Sequence, residues 1–359
     1  MQDITGHLCR PAPLLEGLKI HSIGGFLNVV LPALPPGLLN GDLSSLHTLH
    51  LDSVRTELPW RNMVNLTSFE LGWMSLGEVS VRQLLDFFED APHLRDIGLY
   101  FAPLTPDAQN GRVVTLTCLK KMEIIDCGSS SALLDHLLIP VGAILTIHAG
   151  LTGSLVGEIL PRSVDNLRNL SDFTTIQLSD GGSHPQMKFG GPNGRVSVTL
   201  TQTRYEWTQL MLESLAKLDM SKTEQLVIEG GQSQTRERLH QALLPMTNLR
   251  TITLFNCESS HTFIQALQPG TSLSSVVVCP KLEELVFVPD IDEGLFDAGS
   301  FIRMAAARAS RGMKLGTVRI SYGEDELDPD HFLELAEHIC HVEYDSEPVW
   351  LTVDSDEED

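Results

Sequence analysis

Residues 235–257, TRERLHQALLPMTNLRTITLFNC, constrain the fold more than any other stretch. Leu239, Ala242, Leu243 and Met246 recur at helical spacing. Leu249, Ile252 and Leu254 then follow an L-x-x-L-x-L pattern, with Cys257 three residues on. This predicts a short helix, a tight corner, and a strand whose alternate residues Ile252 and Leu254 turn inward. A unit this small cannot bury its own apolar face, so it must stack on copies of itself.

The rest of the chain supplies those copies. Residues 1–40 form a lead-in with one repeat at 15–20 and a proline-rich loop, LPALPPGLL, whose prolines exclude a helix interior. The array runs over 41–345. Its strands are LHTLHL at 46–51, LTSFEL at 66–71, LRDIGL at 94–99, LKKMEI at 119–124, the weaker AILTIHAG at 143–150, FTTIQL at 173–178, RVSVTL at 195–200, LEELVF at 282–287 and LGTVRI at 315–320. Helical patterns fall between them. VRQLLDFFEDA has Val81, Leu84, Leu85 and Phe88 on one stripe, and SALLDHLLI, GSLVGEILPRSV, YEWTQLMLESLAKL, HTFIQALQ and FIRMAAARASRG follow. DPDHFLELAEHIC is the last helix, with Asp328 as N-cap and Pro329 at the first helical position, before a closing strand at 341–344. In SDGGSHPQMKFGGPNG, 179–194, the glycines and prolines punctuate rather than pack, which predicts a loop or hairpin interrupting the repeat. The fold class is therefore an α/β leucine-rich-repeat solenoid, a horseshoe with short parallel strands on the concave face and helices on the convex face. The rival is a doubly wound α/β sheet. It is disfavoured because the strands are short and lack a glycine-rich phosphate loop and continuous Val/Ile runs.

Charge narrows the partner. Asp and Glu outnumber Lys and Arg 47 to 25, a formal charge of -22, so the global field repels nucleic acid and anionic membranes. Residues 346–359 are an acidic tail in which Ser355, followed by four acids, has the surroundings of an acid-directed phosphorylation site. No stretch approaches the length of a membrane span, no secretory leader is evident, and six scattered cysteines form no C-x-x-C pair. The expectation is a reduced, monomeric, cytoplasmic or nuclear protein, in which the sequons at Asn65 and Asn169 are chance matches.

The signals for catalysis are poor. Gly181-Gly182-Ser183-His184-Pro185 misses the nucleophile elbow by one residue, and Gly190, Gly191 and Gly194 make no nucleotide cradle. His331, His338, Cys340 and His341 lack a second ligand pair at finger spacing. No catalytic residue, cofactor or metal is expected, and the chain reads as a binding protein rather than an enzyme. If pairs such as Phe69/Leu71 and Ile97/Leu99 point inward, the residue between them and the next one along face the concave surface. That rule selects His50, Asp52, Glu70, Tyr100, Glu123, His148, Gln177, Glu229, Phe255 and Arg319, with Trp73 and Phe101 at the rim. Aromatic anchors among carboxylates suit a protein partner.

APHLRDIGL, PMTNLRTITL, CPKLEELVF, VRQLLDFFEDAPHL and FGGPNGRVSVTL together resemble the leucine-rich regions of F-box proteins, especially the expanded families of mushroom-forming fungi. Cys127 and Cys257 stand where the cysteine-containing repeat subfamily places its ninth-position cysteine, whereas Val54, Met74, Ala102 and Gly231 fill that place elsewhere. The resemblance implies the substrate-recognition part of a cullin-RING ubiquitin-ligase receptor. Residues 1–40 show no Leu-Pro-x-Glu opening, so docking on the ligase adaptor is expected only if an F-box precedes them. The alternative is a stand-alone interaction scaffold without a ubiquitin role.

Overall fold

The structure is a computed structural model. It describes residues 8–21, 34, 37–54, 62–72, 79–109, 111–150, 160–161, 164–179, 184–192, 194–201, 215, 218–230, 235–257, 260–270, 276–288, 297–321 and 328–345. It is a mixed α/β structure in which fourteen strands, mostly parallel, carry the main sheet hydrogen bonding. The chain divides into two compact units, 1–173 with 188–203, and 174–187 with 204–359.

In the first unit, strands Gly17–His21, Thr48–Asp52, Ser68–Gly72, Asp96–Tyr100, Lys121–Ile125, Ile144–Gly150 and Gly194–Thr201 lie side by side, each parallel to the next. In the second, Thr175–Ser179, Gln225–Glu229, Thr251–Phe255, Glu284–Val288, Leu315–Ser321 and Ile339–Asp345 do the same. Spatial order follows chain order from Gly17–His21 to Ile144–Gly150 and again from Gln225–Glu229 to Ile339–Asp345, whereas Gly194–Thr201 and Gln186–Gly191 stand in the reverse of their chain order.

Register converts the local alternation into a core. Leu49, Phe69, Ile97, Met122, Leu145 and Val196 form one row across the first unit, and Leu51, Leu71, Leu99, Ile124, Ile147 and Val198 the next. None is more than 2% exposed. A one-residue slip would turn both rows to solvent, so the register is strongly specified. Ile176, Leu226, Ile252, Leu285 and Val318 make the corresponding buried row in the second unit.

A backbone device recurs at strand entrances in both units. The carbonyl just before one strand accepts two successive N–H groups from the next. Glu16 O takes His47 and Thr48, His47 O takes Thr67 and Ser68, Thr67 O takes Arg95 and Asp96, and Arg250 O takes Glu283 and Glu284. Asparagine side chains reinforce it, Asn65 Nδ2 donating to Ser44 O at 2.7 Å and Asn248 Nδ2 to Ser221 O at 2.6 Å. The first sequon thus has a structural use, and Asn169 of the second is buried and donates to Ala143 O.

The connections vary more than the strands do. Helix Val81–Asp90 buries its expected stripe and also Phe87, whose ring centroid lies 4.3 Å from that of Phe69. SALLDHLLI keeps only one helical turn, Ser130–Leu134, because Leu137–Leu138 pairs as a short strand with Val114–Thr115. In the second unit helices Arg236–Leu243, Ser260–Leu267, Ala298–Ala309 and Pro329–His338 pack in succession. Asp328 caps the last one as expected, accepting from Asp330 N at 3.0 Å with Pro329 in the first turn. The final strand begins two residues earlier than expected, at Ile339.

In the segment 179–194 the hairpin expectation holds, since Gln186–Gly191 and Gly194–Thr201 are neighbouring strands separated by two residues, but the reading of its glycines needs correction. Gln186–Gly191 is a strand, and its Lys188–Gly191 part lies beside Gly194–Thr201 in the first unit. Its glycines pack rather than merely punctuate. A Cβ on Gly191 would sit 2.6 Å from Asp172 O, and one on Gly194 2.3 Å from Val141 O, so the missing side chains let backbone approach backbone. Gly181, Gly182 and Ser183, most of the helical pattern at 205–218, Trp73 and the tail with Ser355 lie outside the described residues.

Candidate functional site

The strand face opposite the buried rows carries the predicted residues, as the alternation requires. In the first unit the middle row reads Lys19, His50, Glu70, Gly98, Glu123, Thr146, Ser197. The row towards the strand ends reads His21, Asp52, Gly72, Tyr100, Ile125, His148, Thr199. His50, Asp52, Glu70, Tyr100, Glu123 and His148 therefore share one surface, with Phe101 immediately after its strand. Glu229 and Phe255 face each other in register within the second unit, where Gln177 and Arg319 also lie. The two sets belong to different units.

Tyr100 organises the first set. Gly98 has no side chain, and the tyrosine ring is laid along the sheet over it: a Cβ there would meet Cε2, Oη and Cζ at 2.6–2.8 Å. The phenol then reaches one strand over and donates to Glu123 Oε2 at 2.6 Å. Lys121 Nζ lies 2.9 Å from the other oxygen of Glu123. Burial alone would push the Glu123 carboxyl up, but the bonds from Tyr100 and Lys121 and the charges of Lys121 and His148 hold it below its ordinary value. It is an anion at neutral pH.

On the other side of Gly98, His50 Nδ1 lies 2.9 Å from Glu70 Oε2. Burial pulls the His50 pKa below its ordinary value, Lys19 adds to this, and Glu70 opposes it without prevailing. His50 is thus neutral at pH 7, which leaves the Glu70 charge unbalanced by it. His21 pairs with Asp52 on the neighbouring strands.

Phe101 is out of keeping with its position. Among the described residues, the residue after several strands adopts a left-handed conformation and donates its N–H to a carbonyl near the end of the next strand. Ser53 does so with φ 55, Asp126 with φ 50, Gly230 with φ 66 and Asn256 with φ 49. Small or amide-like residues tolerate that region, whereas a bulky aromatic is an outlier there. Phe101 has φ 51, donates to Ile125 O at 2.7 Å and keeps a half-exposed side chain.

The cysteines have structural roles. Cys127 Sγ lies 3.2 Å from Leu99 O and 3.3 Å from Ile125 O, and Cys257 Sγ 3.3 Å from Ile228 O and 3.6 Å from Phe255 O, the equivalent carbonyls of another unit. Burial pushes these thiols up to about 11 and about 12, so they stay protonated and can donate. All six cysteines are free. Among the described residues no three His, Cys, Asp or Glu side chains converge as a metal site, and His338 ends a helix while His341 lies in the next strand, 3.2 Å from Glu343. No described helix is long and apolar enough to cross a membrane.

Sequence reasoning missed Gly98, Lys121, Lys19 and His21 as members of the site. Only Gly98 carried a signal, since a glycine inside a strand marks a close approach. Compared with known proteins, the chain matches no family model and no curated protein.

Proposed function

We propose that the chain is a protein-binding leucine-rich-repeat solenoid, with its strands on the concave face and its helices on the convex face. The partner binds the strand face of the first unit around Tyr100 and Phe101. The observation that carries this reading is the left-handed backbone at Phe101, where other units place serine, aspartate, glycine or asparagine. A strained aromatic beside a second aromatic is what a contact surface retains and a purely structural corner sheds.

Phe101→Asn tests it, because the two roles move in opposite directions. The variant is expected to raise the unfolding free energy by about 0.5–1 kcal/mol by relieving the left-handed phenylalanine. It should also lower capture of the main partner in affinity pull-downs from cells of the source organism by tenfold or more. Capture at wild-type yield would move the binding face elsewhere.

The resemblance to F-box proteins makes the partner a ubiquitin-ligase substrate, with the protein as its receptor. Purification of the natural full-length product decides this. Adaptor and cullin subunits should co-purify with it, and their absence from a complex that still holds the partner supports the stand-alone scaffold.

A further inference from the structure

We propose that the strand face of the first unit receives an arginine side chain of its protein partner, laid against the Tyr100 ring between the carboxylates of Glu70 and Glu123. The inference rests on the binding reading above and names the chemistry recognised. Glu70, Gly98 and Glu123 stand abreast on three adjacent strands, which places the two carboxylates about 10 Å apart at the backbone. Tyr100 fills the gap between them, its ring held down over Gly98 and its phenol fixed to Glu123. An aromatic ring pinned between two anions attracts a cation through the ring quadrupole and through both carboxylates.

Among the described residues, the positive charge beside these carboxylates falls mainly on Glu123. Lys121 lies on Glu123, His50 borders Glu70, and Lys19 stands beside His50. His50 is neutral at pH 7, however, and the Glu70 side chain is 43% exposed. A guanidinium suits the place better than an ammonium, because it is planar, stacks on rings and presents a fork of donors to carboxylates. Charge also selects the occupant. A second copy of a chain carrying a formal charge of -22 is repelled, whereas a basic segment is drawn in.

Nine-residue peptides of one backbone sequence, with Arg, Lys or Gln at the centre, test this against the full chain by isothermal calorimetry and by NMR of the Tyr100 ring signals. The arginine peptide is expected to bind at least tenfold more tightly than the glutamine peptide, to shift the ring signals and to weaken with added salt. Tyr100→Leu, Glu70→Gln and Glu123→Gln should each lower its affinity about tenfold. Tyr100→Phe, which keeps the ring, should retain most of it. Gly98→Ala displaces the ring without removing a charge and should weaken binding as Tyr100→Leu does. Equal affinity for arginine and glutamine peptides overturns the proposal, as does arginine binding indifferent to Tyr100→Leu, and a preference for lysine replaces the guanidinium with an ammonium. Loss of partner capture in Phe101→Asn alongside such a failure leaves the binding face standing and removes only the arginine subsite; wild-type capture in Phe101→Asn removes the face itself.

Discussion

Arg308→Ala is expected to cost the second unit about 3–5 kcal/mol of unfolding free energy, read from urea denaturation of the full chain. Arg308 lies on helix Ala298–Ala309 and is 0% exposed. Its Nη1 donates to Val278 O at 3.0 Å and approaches Leu267 O at 3.5 Å, while Nη2 donates to Cys279 O at 2.7 Å. Leu267 ends helix Ser260–Leu267 and Val278 and Cys279 precede strand Glu284–Val288, so these carbonyls lie outside the strand ladder; Cys279 has φ 48, and its carbonyl also accepts from Leu282 N at 3.1 Å. Alanine would remove their donors and open a cavity the size of an arginine side chain. The guanidinium is itself expensive to bury: desolvation pulls its pKa below the ordinary value against the opposing influence of Cys279, and among the described residues its Nε has no hydrogen-bond partner. Arg308→Met keeps most of the volume and relieves the buried charge, so its cost should fall to about 1–2 kcal/mol. An alanine variant within 1 kcal/mol of wild type would show that the carbonyls do not depend on this side chain.

Gly194→Ala should destabilise the first unit by about 2–3 kcal/mol, and Gly191→Ala by nearly as much. The added methyl at 194 would stand 2.3 Å from Val141 O and 3.1 Å from the Asn169 Cβ, and at 191 it would meet Asp172 O and the Cα of Phe173. The obstacles are mainly backbone, so no rotamer change can absorb the overlap and a strand must move. Gly17→Ala is the control, since nothing lies within 4 Å of a Cβ there, and it should change stability by no more than about 0.5 kcal/mol. Equal effects at 17 and 194 would mean that the close approach does not exist in solution.

Much of the architecture is legible in the amino-acid order because it follows from short-range periodicity. Phe69 and Leu71 are two residues apart, so pleating alone sends both to one face and Glu70 to the other. The same rule placed His50, Glu70, Tyr100 and Glu123 on a common surface before any pairing was known. Asp328 and Pro329 announced a helix start through the chemistry of adjacent residues. Connections were less legible. SALLDHLLI has helical spacing, yet Leu137–Leu138 is taken up as a strand by Val114–Thr115, a pairing that lies in another stretch of sequence.

What the sequence determined by itself, then, is which side chains face inward and which outward along each strand, and the acidic character of the whole chain. The tertiary structure decided which outward residues meet. Tyr100 bonds Glu123 across 23 residues of sequence, and Arg308 serves carbonyls 29 and 30 residues away. Gly194 owes its necessity to a carbonyl at Val141. Alternation acts within a few residues and is written locally, whereas these contacts depend on the register between strands and on the path of the connections. That register is set by burial of whole rows such as Leu49, Phe69, Ile97 and Met122, a collective property that no single stretch contains.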